Sequence, residues 1–302
     1  MTAPSALAPQ LQRSLVAAGL DPAAVEGLAR AALAEDLAGG VDVTSEATVP
    51  PQQHSIADFV ARADGVVAGL PVAAAVLALA GEAAVDIEYR VRDGDRVVAG
   101  TVLLSAGGPT RTLLLAERTA LNLLGHLSGA ATLTRRWVDA VAGTGARIRD
   151  TRKTTPGLRM LEKYAVRCGG GDNHRMSLSD AALVKDNHVL AAGGVAAAFR
   201  AVRRRFPELP VEVECDTLAE VAEAIAAGAD LLLLDNMSVA DMAAAVQLAQ
   251  GCRLEASGGL SLERARAVAQ TGVDYLAVGA LTHSAPVLDI GVDLRSPHAV
   301  GH

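Results

Sequence analysis

The charged residues that could do chemistry are most concentrated between residues 147 and 188. Nine Lys or Arg and five Asp or Glu occur there, in a chain whose net charge is -7. All three lysines, Lys153, Lys163 and Lys185, fall in this segment. Arginine matches carboxylates bidentately, and lysine acts as a point charge for phosphate. A charged run is commonly a salt-bridged surface, but this one favours binding of a substrate with several negative charges.

A glycine-rich loop in the same segment adds two candidates. The run Cys168–Arg175 reads CGGGDNHR and ends in His174 and Arg175. Arg152 and Lys185 stand at the ends of two predicted strands. We therefore expect the loop and the strand ends to share one anion-binding site.

The elements that position these residues are six short apolar runs alternating with helix-like stretches. The predicted strands are Ala146–Asp150, Ala181–Lys185, Val211–Glu214, Leu231–Asp235, Arg253–Ala256 and Tyr275–Val278. The predicted helices lie near 156–167, 193–206, 217–227, 238–250 and 261–271. Such alternation predicts a parallel β/α architecture. Functional-looking residues end nearly every strand, which favours a C-terminal β/α barrel over an open doubly wound sheet. The barrel is incomplete if these six runs are all its strands.

Small residues follow the last two predicted strands, as Ser257-Gly258-Gly259 and Gly279-Ala280. Loops after the final strands of a barrel commonly bind phosphate through backbone N–H groups and a helix start. Two ordinary glycine turns are the alternative. The pairing of the two loops favours the phosphate site.

Two acids, Glu214 and Asp235, end consecutive predicted strands. Carboxylates there could hold Mg²⁺ or accept hydrogen bonds from sugar hydroxyls. Solvated loop acids are the alternative.

The N-terminal half predicts a separate α/β, sandwich-like domain over residues 1–130, followed by a barrel domain over 131–290 and a tail over 291–302. Residues 1–35 predict helix with a start at Asp21-Pro22, and residues 40–64 an irregular, strand-like segment. The uncharged stretch 65–81 predicts a buried helix from Pro71 rather than a membrane span. Asp93-Gly94 predicts a hairpin turn. A long helix over 112–142, carrying Arg118, leads into the barrel.

Composition excludes several classes of protein. An acidic net charge and 2% aromatic residues argue against nucleic-acid binding. Three distant cysteines without a CxxC pair argue against a disulfide scaffold or a cysteine zinc site, and favour a reducing cytoplasm. No secretory signal is expected from the N-terminal residues.

Several segments together closely resemble the quinolinate phosphoribosyltransferase family, also called nicotinate-nucleotide pyrophosphorylase (carboxylating). They are AERTALNLLGHLSGAAT, DTRKTTPGLRMLEKYAVRCGGGDNHR, LVKDNH, VEVECDT, LLLDN, EASGG and YLAVGALTHS. The resemblance runs from about residue 25 to residue 290. Ser177 departs from the family, which more often has glycine there.

The resemblance implies that quinolinate and 5-phosphoribosyl 1-diphosphate, with Mg²⁺ and no organic cofactor, give nicotinate mononucleotide, CO₂ and diphosphate in NAD biosynthesis. It implies that quinolinate is gripped by Arg152, His174, Arg175 and Lys185, and by Arg118 from the neighbouring subunit of a homodimer or an assembly of dimers. Lys153 would meet the diphosphate. Glu214 and Asp235 would bind ribose hydroxyls or the metal. The 5-phosphate would lie at Ser257, Gly258, Gly259, Gly279 and Ala280.

Two other functions stay open. One is a related homologue, linked to molybdenum transport, with another substrate. The other is a non-catalytic phosphoribosyl-binding module. The residues expected to bind the carboxylates of quinolinate favour that substrate over the substrate of such a homologue. The presence of Glu214 and Asp235 argues against a non-catalytic binding module.

Overall fold

The computed structural model describes residues 7–81, 84–249 and 251–297. The chain forms two compact units. The first comprises Met1–Leu133, Met160–Gly169 and Ala285–His302, and the second Thr134–Arg159 and Gly170–Ser284. The predicted boundaries at residues 130 and 290 stay predictions.

The described residues form twelve helices and twelve strands. The helices are α1 (Pro9–Ala17), α2 (Pro22–Leu37), α3 (Val43–Thr48), α4 (Leu70–Leu79), α5 (Thr110–Ala140), α6 (Arg159–Cys168), α7 (Asp186–Ala192), α8 (Val195–Arg205), α9 (Leu218–Ala226), α10 (Val239–Leu248), α11 (Leu262–Ala269) and α12 (Ala280–His283). The strands are β1 (His54–Ala61), β2 (Gly65–Val66), β3 (Asp86–Tyr89), β4 (Arg96–Val97), β5 (Val102–Pro109), β6 (Arg147–Arg149), β7 (Ala182–Val184), β8 (Val211–Cys215), β9 (Leu231–Asp235), β10 (Arg253–Ser257), β11 (Tyr275–Ala277) and β12 (Ile290–Arg295).

The first unit is built on an antiparallel sheet in the order β12-β1-β5-β3. Phe59 lies at its centre, opposite Leu104 on β5 and Val292 on β12, and is fully buried. Helix α4 follows Gly69, whose φ of +105° favours glycine, and it is apolar on all sides. Buried residues run along α4 from Leu70 to Leu77, so the prediction of a buried helix is confirmed. Within the described ranges, no helix has both the length and the apolarity to cross a membrane.

Two predictions for the first unit were wrong. Residues 43–48, expected to be strand-like, form α3, because the Asp42 carboxylate accepts the backbone N–H groups of Thr44 and Ser45 and starts a helix. Asp93-Gly94 does not join two paired strands, since β3 pairs with β5 and β4 pairs with β2. The Asp93 carboxylate instead accepts the N–H groups of Gly69 and Leu70 at the start of α4.

The second unit is a six-stranded sheet in the order β6-β11-β10-β9-β8-β7, and its strand pairs are all parallel. All six predicted strands are present, and the expected α/β class with a partial barrel is confirmed. Leu232, Leu233 and Leu234 are buried on β9, as strands covered on both faces require.

Local capping explains how the loops after these strands start their helices. Thr217 and Glu220 form the predicted capping box of α9, and Ser238 caps α10. Ser261 holds the N-cap position of α11, but among the described residues no first-turn N–H donates to its hydroxyl. Helix α7, which the sequence did not predict, begins directly after Lys185.

Candidate active site

A cavity of about 410 Å³ opens at the carboxyl ends of the parallel strands. Eight of the predicted site residues line it: Arg152, Lys153, His174, Arg175, Lys185, Glu214, Asp235 and Ser257. They lie on β8, β9 and β10, directly after β6 and β7, and in the loop that ends at Arg175. The remaining lining is Thr151, Leu183, Leu233, Glu255 and Ala277. The sheet thus brings together residues that are up to 105 positions apart between Arg152 and Ser257.

The glycine-rich loop is fastened to the end of β6 by a buried carboxylate. Asp150 is fully buried, and its Oδ1 accepts the His174 N–H at 2.8 Å. Its Oδ2 accepts a hydrogen bond from Asn173 Nδ2 at 2.5 Å. These bonds fix where the backbone turns before Arg175, and they carry the predicted loop into the cavity.

Two guanidinium groups share one side of the cavity. Burial, followed by repulsion from Arg152, lowers the pKa of Arg175. Within the described chain, the buried Nε of Arg152 has no hydrogen-bond partner. An unpaired buried donor beside a second cation is costly, and a bound carboxylate would relieve both costs.

Two predicted site residues are bonded to each other. Lys185 Nζ donates to Glu214 Oε2, and the Glu214 side chain is 9% exposed against 47% for Lys185. Because a lysine ammonium has three donors and a carboxylate two oxygens, both groups keep capacity for a ligand.

Acidic groups cluster beside this pair. Asp235 accepts a hydrogen bond from Asn236 Nδ2 at 2.6 Å. Burial, and then repulsion from Glu220, Asp235 and Glu214, raises the pKa of Asp216. Glu214 and Asp235 both line the cavity, so carboxylate oxygens of the kind that Mg²⁺ prefers are present there.

The two glycine loops leave little room for a side chain. Gly258 has φ of +79°, and a Cβ there would lie 2.3 Å from Asn236 Oδ1. A Cβ on Gly279 would lie 3.0 Å from Lys153 Cδ and 3.2 Å from His283 Nε2. Of the predicted phosphate residues, only Ser257 lines the cavity itself, while Gly258, Gly259, Gly279 and Ala280 do not.

Arg118 is not among the residues that line the cavity. It lies on α5, in the first unit, and its side chain is exposed. Its role from a neighbouring subunit stays a prediction.

Sequence reasoning missed three charged residues next to the cavity. Glu212 is 3% exposed and Glu255 is fully buried, and Arg149 Nη1 donates to Glu255 Oε2 at 2.5 Å. Arg149 also stacks over Tyr275 at 4.4 Å from the ring centroid. The available signal was a charged residue inside each of three predicted buried strands.

A parallel β/α unit whose cavity is lined by both cations and carboxylates, with glycine turns after its last strands, is typical of an enzyme that acts on anionic phosphorylated substrates. The sequence matches the family descriptions "Quinolinate phosphoribosyl transferase, N-terminal domain" over residues 42–128 and "Quinolinate phosphoribosyl transferase, C-terminal domain" over residues 130–293.

Similar proteins agree with these matches. "Nicotinate-nucleotide pyrophosphorylase [carboxylating]" of Mycobacterium leprae is 55% identical, covering 88% of this chain and 95% of its own. "Quinolinate phosphoribosyltransferase [decarboxylating] 2a, mitochondrial" of Nicotiana tabacum is 39% identical, covering 91% and 84%. The solved structure of NadC from Streptococcus pyogenes is 41% identical with a TM-score of 0.87, covering 91% and 97%. The chain belongs to the quinolinate phosphoribosyltransferase family.

Proposed function

We propose that the cavity of the second unit holds quinolinate beside 5-phosphoribosyl 1-diphosphate and is where the chain performs its family's reaction. The chain is a phosphoribosyltransferase of NAD biosynthesis that converts these substrates into nicotinate mononucleotide, CO₂ and diphosphate. The observation that carries the placement is that one cavity is lined both by the neighbouring guanidinium groups of Arg152 and Arg175 and by the carboxylates of Glu214 and Asp235.

The cationic residues of the cavity suit quinolinate, which carries two carboxylates. Arg152 and Arg175 present guanidinium forks, and Lys185 adds a point charge. Held in this way, the pyridine nitrogen is aimed at the anomeric carbon of the sugar donor. Positioning matters most here, because departure of diphosphate leaves oxocarbenium character on the sugar and needs no general base.

The acidic residues of the cavity suit the sugar donor. Glu214 and Asp235 bind ribose hydroxyls and would hold Mg²⁺, which when bound supplies neutralising charge to the diphosphate. Lys153 meets the leaving diphosphate. The backbone of Ser257, Gly258, Gly259, Gly279 and Ala280 surrounds the 5-phosphate. Once the ring nitrogen is cationic, the bond from C2 to its carboxylate breaks and CO₂ leaves, because the electron pair left on C2 is stabilised beside that charge; C2 then takes a proton from water.

The test is an assay of diphosphate and CO₂ release with quinolinate, the sugar donor and Mg²⁺, with nicotinate in parallel. Both products are expected from quinolinate alone. Arg175→Ala should abolish turnover, and Arg204→Ala, on the exposed last turn of α8, serves as the matched control. Turnover at the native rate by folded Arg175→Ala, or equal use of nicotinate, would contradict the placement.

The enzyme works as a cytoplasmic homodimer in which Arg118 completes the neighbouring site. The exposed position of Arg118 on α5 supports the shared site, and three free cysteines support a reducing compartment. Mixing Arg118→Ala with Arg175→Ala tests it. Random reassembly makes about half of the dimers mixed, and one of the two sites in each mixed dimer is intact. Roughly a quarter of native activity should therefore return. No recovery after dissociation and reassembly would refute the shared site.

A further inference from the structure

Two acids inside the second unit have no counterpart in the roles given above. Glu212 on β8 is 3% exposed and Glu255 on β10 is fully buried. Barrel interiors are usually filled by branched apolar side chains, and a buried carboxylate is costly unless it is bonded. The neighbours of Glu212 and Glu255 should therefore show what they do.

The two acids flank the imidazole of His174. Its Nε2 lies 2.6 Å from Glu212 Oε2 and 3.6 Å from Glu255 Oε1. Glu255 is bonded on its other oxygen to Arg149 at 2.5 Å. Glu212 is thus the hydrogen-bond acceptor for His174, while Glu255 is held toward Arg149.

The other ring nitrogen of His174 fixes the tautomer. The backbone N–H of Arg175 donates to His174 Nδ1 at 2.8 Å. A nitrogen that accepts a hydrogen bond carries no proton, so the proton is on Nε2, where it is donated to Glu212. Both ring nitrogens therefore bond to protein atoms, and the neutral imidazole joins a buried carboxylate to the backbone of Arg175.

Arg175 is held at both ends by this arrangement. Its amide is fixed by His174, and its Nη1 donates to the carbonyl oxygen of Ala181 at 2.9 Å. Arg175 also lines the cavity, and a guanidinium has five N–H donors, so donors other than the one bonded to Ala181 are available for a ligand.

A metal ion is the competing occupant, since ligand atoms of His174, Glu212 and Glu255 lie within 4.8 Å of one another. The hydrogen bonds argue against it. Nε2 carries the proton that Glu212 accepts, and Glu255 Oε2 already accepts a hydrogen bond from Arg149. A second cation would have to displace that proton beside a fixed guanidinium.

We propose that Glu212 is a positioning residue for quinolinate: by accepting the His174 Nε2–H it holds the tautomer whose Nδ1 fixes the Arg175 amide, and so aims the Arg175 guanidinium at the substrate. This rests on the proposed role of Arg175 in gripping quinolinate. His174 then acts through Arg175 instead of touching the carboxylates, which the family resemblance had implied.

The first experiment compares Glu212→Met, which removes the acceptor, with Glu212→Gln, whose amide oxygen still accepts the Nε2–H. Glu212→Met should raise the KM for quinolinate about tenfold or more, the value of losing one oriented contact. Its KM for the sugar donor should change less than about threefold, since binding of the sugar donor does not use Arg175. Glu212→Gln should return the KM for quinolinate to within about threefold of the native value.

Three outcomes separate the claims. An unchanged quinolinate KM in Glu212→Met, with Arg175→Ala inactive, overturns the positioning role alone. A native KM in Arg175→Ala overturns the proposed site as well. If kcat falls and both KM values rise by similar factors in Glu212→Met and in Glu212→Gln, Glu212 only supports the fold.

A second measurement does not depend on a stable variant. In the native enzyme, nitrogen NMR of labelled histidine should show His174 with an unprotonated Nδ1 and a protonated Nε2 at neutral pH. A doubly protonated ring, or a proton on Nδ1, would overturn the assignment.

Discussion

Replacing Glu255 with glutamine should make the second unit more stable at high pH and leave it unchanged at low pH. Burial, followed by repulsion from Glu212, raises the pKa of Glu255 from 4.5 to about 7, although the Arg149 cation opposes the rise. In the unfolded chain the carboxyl regains its ordinary pKa. Between these two values the folded protein binds the additional proton, so its stability falls as the pH rises.

The size of the effect follows from the same shift. A change of 2.5 pKa units, at about 1.4 kcal/mol per unit, amounts to about 3 kcal/mol. At pH 5 the native carboxyl is neutral in the folded state and matches glutamine in shape and charge. At pH 8 only the native protein carries the buried charge, so Glu255→Gln should be more stable there by up to about 3 kcal/mol.

Trp137 supplies the assay. It is the chain's single tryptophan, is 4% exposed and lies in the second unit, so its fluorescence follows unfolding of the unit that holds Glu255. Urea unfolding at pH 5, 6, 7 and 8 gives the stability difference at each pH. Glu263→Gln is the control, because hydrogen bonds at the start of α11 lower the pKa of Glu263 and reverse the sign. A variant less stable than the native protein at pH 8 would show that the ionised Glu255–Arg149 pair stabilises the fold, and would refute the reasoning.

Three further outcomes follow from the geometry. Urea unfolding should show that Gly258→Ala lowers the free energy of unfolding by about 1–3 kcal/mol more than Gly143→Ala does. Both glycines have φ near +80°, but of the two only Gly258 would place a Cβ against a described neighbour. Equal decreases would contradict this. Thr217→Ala should lose about 1 kcal/mol by removing the cap of α9, and Thr217→Ser should restore most of it. Burial raises the pKa of Cys215 to about 12, so the thiol should resist alkylation at pH 8 until urea unfolds the chain; fast labelling of native protein would contradict its burial.

The second unit was predictable because its signals are local. Parallel strands buried on both faces show as apolar runs, and the residues that end them must meet at one edge of the sheet. Arg152, Lys185 and Glu214 were placed in this way, and all three line the cavity. The Thr217 capping box is also carried by residues only three positions apart.

What the sequence did not reveal depends on contacts between distant residues. Glu212 and Glu255 gain meaning only when β8 and β10 bring them to His174. The same holds for Asp93, whose carboxylate binds the start of α4 and so does not form the hairpin that the Asp-Gly pair suggested. The tendency of Asp-Gly to form a hairpin turn was overridden by hydrogen bonds that the Asp93 carboxylate accepts from N–H groups 23 and 24 residues away.

The pairing of β1 with β12 bears on how the protein is made. Each residue of β1 from Ile56 to Ala61 has a partner between Ile290 and Arg295, so one edge of that strand finds its neighbour only after the ribosome has made Ile290–Arg295. At roughly 5–20 residues per second, the delay is on the order of ten seconds or more. During that time an apolar strand presents an open edge, which is a template for joining other nascent chains. Chaperone supply and translation speed, rather than final stability, should therefore set how much enzyme a cell recovers.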